Sequence, residues 1–383
     1  MKTIVVGIIG CGAMGGIHAE CLNRVPSCWI AGFFNRTRSR TEAMARKFGG
    51  RVYARLNEML ADPSIDAVVI ASAQQVHARQ IMASLQAGKA VFCEKPLAMT
   101  AREMDQIQQT ALHSKGIVMV GHQLRFHPVA EAVRQAMSRL GPVFHADMEM
   151  AFRIAGHEGR CWENYRSGGF FMELGCHLVD LARYFLGEIH DVNGNTLRLH
   201  PKRVTEDFAQ SLLSFESGAT ASLITSANYR TTRQGLLRGR ILGQEGRIDF
   251  SIYPYAREFN SAALVVDCGE DLFVPDEKIT PLTHDLPPSL SEVYPGYFDA
   301  YQRQMLAFVE SVRSGQKPPV GLHDGRMAVE GVLATYHRQG QVTRSASFSQ
   351  SRQAYRIGAA GHPLLKSVAP ERGDETHKPH RSL

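Results

Sequence analysis

The apolar run Ile4-Val5-Val6-Gly7-Ile8-Ile9 passes directly into Gly10-Cys11-Gly12-Ala13-Met14-Gly15, and no other stretch restricts the fold of this chain as tightly. A GxGxxG match is weak alone. A buried strand before it and a helix after it make the setting of a dinucleotide-binding turn. There, Gly10 allows the tight turn, Gly12 lets the backbone approach a pyrophosphate, and Gly15 lets the helix pack on the strand. Ala13 and Met14 complete the turn, and the helix that it opens has free N–H groups and a dipole that favour phosphate. A plain strand-to-helix turn is the rival reading.

Up to about residue 122 the same grammar repeats. Short apolar runs at 4–9, 29–34, 67–71, 90–93 and 117–120 read as parallel strands covered on both faces. Amphipathic segments at 15–24, 41–48, 76–86 and 101–114 read as the helices between them. Residues 1–122 are therefore expected to form a Rossmann domain. After residue 140 the pattern changes to strands with one wet face, as in Phe144-His145-Ala146-Asp147-Met148-Glu149-Met150, with others at 208–215, 219–227, 237–242, 247–252 and 262–266. Helices are expected at 170–185, along the stripe Phe298, Tyr301, Met305, Phe308, Val309 and Val312, and at 327–337. The expectation for 123–343 is an α+β substrate-binding and oligomerisation domain with a large, mostly antiparallel open sheet. Residues 344–383 read as a polar, basic, disordered tail.

Charge narrows the function classes. The 43 Lys and Arg exceed the 37 Asp and Glu by six. The tail from Arg344 contributes seven basic and three acidic residues, which leaves 36 against 34 in the body. A nearly neutral body suits small molecules and argues against a nucleic-acid partner. The seven cysteines are scattered and form no CxxC pair, so neither a disulfide framework nor a metal site is expected. A reducing cytoplasm is the natural compartment. No run approaches the roughly 20 apolar residues of a membrane span.

The second strand ends in Asn35-Arg36-Thr37-Arg38-Ser39-Arg40. An NAD site usually places a carboxylate here for the ribose 2′-OH, whereas a 2′-phosphate calls for arginine. Asn35 with Arg36 and Arg40 favours NADP(H), with NAD(H) as the alternative. Further on, Glu94-Lys95-Pro96 follows a buried strand at its carboxyl end, where doubly wound sheets bind ligands.

These pieces together resemble the glucose-fructose oxidoreductase / inositol dehydrogenase (Gfo/Idh/MocA) family over about residues 3 to 343. The resemblance rests on the glycine turn with His18, on Ala71-Ser72-Ala73-Gln74-Gln75-Val76-His77, on Glu94-Lys95-Pro96, on Arg125-Phe126-His127-Pro128, and on Gly168-Gly169 leading to Glu173-Leu174-Gly175-Cys176-His177-Leu178-Val179-Asp180. It implies hydride transfer between a nicotinamide and a hydroxyl or keto group of a sugar, sugar derivative or cyclitol, by a homodimer or homotetramer formed through the C-terminal sheet. It implies His177 as proton acceptor and Lys95 as the group that orients or polarises the oxygen, with Glu173 in support. Cofactor contacts are implied for Ser72, Ala73, His77, Glu94, Lys95 and Gln123. Two departures stand out: the family most often has Asp where Glu173 stands, and Pro-Asn where this chain has Ala73-Gln74.

Positions 173, 177 and 180 share one helix face, so Glu173 and His177 can converge with Lys95 on one hydroxyl. Asp180 reads as a structural partner. Arg125 either lines the nicotinamide end or braces the junction between domains. In 152–167, Trp162 either packs on a sugar face or anchors the loop, and Arg153, with Arg160 and Arg166, suits an acidic or phosphorylated sugar. Arg125, Arg153 and Trp162 join Lys95, Glu173 and His177 as expected substrate contacts. Two other functions fit such a chain: a glycoside hydrolase working by transient oxidation on bound NAD, and a non-catalytic nicotinamide sensor.

Overall fold

In the strand Ile4–Ile9 (β1), Ile4, Val6 and Ile8 face one side of a sheet and Ile9 the other, all fully buried. Such two-sided burial requires helices on both faces, and the chain supplies them. The computed structural model describes residues 2–114, 116–151, 168–200, 203–227, 236–252, 264–268, 271–273 and 295–337. Arg153, Trp162 and the tail 344–383 lie outside the described residues.

Five more parallel strands join β1: Cys28–Phe34 (β2), Arg51–Val52 (β3), Ala67–Ile70 (β4), Ala90–Glu94 (β5) and Val118–Gly121 (β6), in the order β3-β2-β1-β4-β5-β6. Helices Ala13–Leu22 (α1), Arg38–Phe48 (α2), Leu56–Leu60 (α3), His77–Gln86 (α4) and Ala101–Ser114 (α5) connect them. The strand order reverses beside β1, which opens a crevice beyond the carboxyl ends of β1 and β4. Residues 10, 71, 95 and 122 all lie just past such ends.

After Pro128–Ala136 (α6) comes a second sheet of eight strands. They are Val143–Ala151 (β7), Ile189–Leu197 (β8), Phe208–Phe215 (β9), Thr220–Ser226 (β10), Leu236–Gly243 (β11), Gly246–Ile252 (β12), Leu264–Cys268 (β13) and Asp271–Phe273 (β14). The order is β14-β13-β12-β11-β7-β10-β9-β8, antiparallel except where β7 meets β10. Helix Cys176–Leu186 (α7) covers the inner face, where Ala146, Met148, Met150, Leu213, Leu223 and Ile248 are buried. The outer face carries ion pairs Arg238–Glu149 and Arg240–Asp249. This α/β arrangement is the one expected.

Two long helices close the described chain. Pro295–Ser314 (α8) returns to the first sheet and buries Phe298, Met305, Phe308 and Val309 with Ile4, Ile8, Phe92 and Met119. Leu322–His337 (α9) divides its apolar side between the two cores, with Val329 in one and Ala328 and Val332 in the other. No helix among the described residues is long and apolar enough to cross a membrane.

Candidate active site

The glycine turn divides its work among three residues. Gly10 has φ +106°, and a Cβ on it would lie 2.5 Å from the Ala71 backbone. A Cβ on Gly15 would lie 2.0 Å from the Gly10 carbonyl oxygen. Gly12 is different: nothing lies within 4 Å of its would-be Cβ, at the N-cap of a helix with no side-chain cap. The free N–H groups of α1 thus meet open space that a side chain would fill, which is the shape a pyrophosphate needs.

Asn35 closes the turn from the side. Its Oδ1 accepts from Cys11 N at 3.3 Å and its Nδ2 donates to Thr37 O at 3.1 Å. Of the three arginines that follow, Arg38 pairs with Glu42 at 2.9 Å. Arg36 and Arg40 are exposed, with no ion pair among the described residues.

The loops after β4 and β5 are tied together from behind. His77 Nδ1 lies 2.8 Å from Pro96 O, and Ser72 Oγ donates to Gln80 Oε1 at 2.6 Å. Glu94 Oε1 lies 2.7 Å from His18 Nε2, and both side chains are buried. Burial acts to raise the Glu94 pKa, but the His18 hydrogen bond and charge outweigh it and hold the carboxyl below its ordinary value. The described contacts of His77 and Glu94 therefore shape the loops. Ala73 precedes the short turn Gln74–Val76. Gln123 is buried and its Oε1 has no hydrogen-bond partner among the described residues.

Lys95 and Glu173 meet at the centre. The Lys95–Pro96 peptide is cis. Lys95 Nζ donates to Glu173 Oε1 at 2.7 Å and to the Glu173 carbonyl oxygen at 2.8 Å, and only 10% of the lysine side chain is exposed. Burial favours the neutral amine, yet the Glu173 carboxylate overcomes it and raises the Lys95 pKa. Lys95 is a cation at neutral pH. Glu173 sits in a π-turn, Phe171–Gly175, that leads into α7. His177 follows, 5% exposed, with no partner for its Nδ1 among the described residues. Burial, then the charges of Lys95 and His122, push its pKa well below the ordinary histidine value. A neutral imidazole beside a fixed ammonium is a proton acceptor beside a group that stabilises an oxyanion.

His122 was not singled out in the sequence. Its ring packs edge-on to His177 at 6.1 Å, and it is 1% exposed. Only its position just past β6 marks it in the sequence, and that signal is shared with many structural residues. Of the two roles open to Arg125, the structure builds the brace. Its guanidinium donates to both Asp180 oxygens at 2.9 and 2.6 Å and to Asp324 at 3.0 Å, and Arg183 donates to Asp324 at 3.2 Å. The network ties α7 to α9. Replacing Arg125 with alanine leaves Asp180, 1% exposed, without its bidentate partner. The expected cost is about 3–5 kcal/mol, read from the urea midpoint. A loss below about 1 kcal/mol would mean the network contributes no more than a surface pair.

Residues 4–122 match the oxidoreductase family with an NAD-binding Rossmann fold, and residues 130–249 match the GFO/IDH/MocA C-terminal domain. The chain is 27% identical over 334 residues to a myo-inositol 2-dehydrogenase of Thermotoga maritima, covering 85% of this chain and 92% of the relative. It is also 27% identical over 339 residues to a D-xylose 1-dehydrogenase (NADP+) of Haloferax volcanii, covering 87% and 95%. An oxidoreductase from Agrobacterium radiobacter, solved in complex with NAD+, L-tartaric acid and magnesium, has the same fold, with a TM-score of 0.77 at 21% identity over 89% of this chain and 97% of that one.

Proposed function

Because the chain belongs to the Gfo/Idh/MocA oxidoreductase family, we propose that it transfers a hydride between NAD(P) and a secondary hydroxyl or keto group of a sugar, sugar derivative or cyclitol. The observation that carries this is the convergence of a protonated Lys95, its partner Glu173 and a neutral His177 beyond the carboxyl ends of the first sheet. The relatives named for inositol and xylose support the substrate class.

When bound, the cofactor supplies the hydride acceptor. Gly10, Gly12, Ala13, Met14 and Gly15 would hold its pyrophosphate, and the loops around Ser72, Ala73, His77, Glu94 and Gln123 would contact the rest of it. In oxidation the hydroxyl proton goes to His177, the C–H electron pair leaves as hydride, and a carbonyl forms. Lys95 donates a hydrogen bond to the oxygen as its negative charge grows. Glu173 keeps the lysine charged and aimed. The hydrolase and sensor readings gain no support of their own from this geometry.

The adenosine end supports NADP(H). No carboxylate stands at position 35, and Arg36 and Arg40 are exposed beside the glycine turn. KM for NADP is expected to be the lower of the two, and a preference for NAD above about tenfold, 1.4 kcal/mol, overturns this reading. The substrate class is tested by screening sugars, cyclitols and glycosides with both cofactors, read at 340 nm and by product chromatography. Free aglycone without net absorbance change would replace the dehydrogenase by the hydrolase. The domain division at residue 122 and a homodimer or homotetramer through the outer face of the second sheet belong to the same proposal. Leu212, 51% exposed on that face, suits an interface. Light scattering is expected to report an oligomer, and a monomer at micromolar concentration overturns that part.

A further inference from the structure

The π-turn Phe171–Gly175 begins a helical segment, and the first N–H groups of such a segment have no partner within it. Around Glu173 two side chains supply them. The Tyr336 hydroxyl oxygen, from α9, accepts from Met172 N at 3.0 Å and lies 2.8 Å from Gly168 O and 2.6 Å from Glu206 Oε1. Glu206 Oε1, from the segment before β9, also accepts from Phe171 N at 2.7 Å. Gly169, with φ +92°, leaves the carboxylate its space, since a Cβ there would lie 2.3 Å from Glu206 Oε2. The Tyr336 ring packs edge-on to Phe171 at 6.1 Å. The backbone at 168, 171 and 172 is thereby fixed just ahead of Glu173. Glu173 holds Lys95 partly through its own carbonyl oxygen, so a backbone shift in the turn moves the lysine with it.

Counting protons sharpens the picture. A phenol has one proton, yet Tyr336 faces two acceptors. If Glu206 brings a proton and donates it to Tyr336, then Tyr336 donates to Gly168 O, Met172 N–H fills the remaining lone pair, and every group is satisfied. An ionised Glu206 leaves one oxygen facing another without a proton between them. Burial pushes the Glu206 carboxyl up from its ordinary value. Burial pushes the Tyr336 phenol up as well.

We propose that Glu206, as a neutral acid, and Tyr336 are positioning residues that lock the π-turn and so aim Glu173 and Lys95, a role that rests on the catalytic reading of Lys95 and His177. E206A and Y336F are expected to lower kcat about 10- to 100-fold with the KM for cofactor unchanged. E206Q can offer an N–H to Tyr336 or a carbonyl oxygen to Phe171 N at the Oε1 position but not both, so its kcat is expected to fall between wild type and E206A. A protonated-carboxyl infrared band at neutral pH that disappears in E206Q is expected and its absence overturns the neutral acid, while wild-type kcat in all three variants overturns the positioning role. Y336F removes a single oxygen and so guards against a folding defect. A second measurement needs no substrate: carbamoylation of Lys95 by cyanate in the full chain, read by peptide mass spectrometry. Loss of Glu173 contact lowers the lysine pKa, and each unit raises the free amine about tenfold. About tenfold faster labelling of Lys95 is expected in E206A and Y336F, and unchanged labelling overturns the proposal. Should wild type turn over nothing in the substrate screen, the functional reading fails while the labelling still decides the clamp.

Discussion

Replacing His177 with alanine is expected to lower kcat by about 100- to 10,000-fold and to leave cofactor affinity unchanged. In the proposed mechanism the imidazole is the neutral acceptor beside the lysine, and it is separate from the glycine turn proposed to hold the cofactor. Lys95→Ala is expected to fall in the same range, because one oriented donor to a developing oxyanion is worth about 3–4 kcal/mol. It also strands the Glu173 carboxylate, which is 17% exposed. Stopped-flow absorbance for turnover and nicotinamide fluorescence for binding separate the two effects. Near-normal turnover in either variant overturns the assignment. The pH profile gives a further check. His177 must be unprotonated to accept a proton, and its pKa lies well below 6.5 through burial, Lys95 and His122. kcat/KM in the oxidative direction should therefore rise with pH on a limb below 6.5 and be flat above it. A limb centred near pH 6.5 would mean an unperturbed, solvated histidine is the base.

The second large effect is expected at Gly12. A valine there enters open space, so the thermal midpoint should change little, while the pyrophosphate loses its place against the N-terminus of α1. Cofactor affinity is expected to drop at least about 100-fold, or 2.7 kcal/mol, in a folded protein. Gly15→Val offers the contrast. Its side chain would begin 2.0 Å from the Gly10 carbonyl oxygen, so the turn itself must break and the midpoint should fall with the affinity. Calorimetry of binding alongside thermal unfolding distinguishes the pair. Equal affinity in wild type and Gly12→Val overturns the cradle.

The first sheet is legible because each of its longer strands is a continuous apolar run that stops at a glycine or a polar residue. β3, of two residues, and the single turn and a half of α3 are too short to show any period. β8 escaped for another reason: His190, Asp191, Asn193, Gly194 and Asn195 give it the composition of a loop, which an edge strand tolerates and a central one does not. At the site, Lys95, Glu173 and His177 were legible through motif and spacing. Their environment was not. That Arg125 is occupied by Asp180 and Asp324, that His122 abuts His177, and that Glu206 and Tyr336 grip the π-turn are long-range facts, joining residues up to 199 apart in the chain. The stripe of α8 was read correctly as a helix, but its apolar side gave no sign that it would return to the first sheet.

That return has a consequence for synthesis. Phe298, Met305, Phe308 and Val309 fill the layer over Ile4, Ile8, Phe92 and Met119. While the ribosome is still making the second sheet, one side of the nucleotide-binding half is uncovered and wet. Its native closure waits for α8 to emerge, so the two halves mature together and the first 122 residues, expressed alone, would present an apolar surface with nothing to cover it.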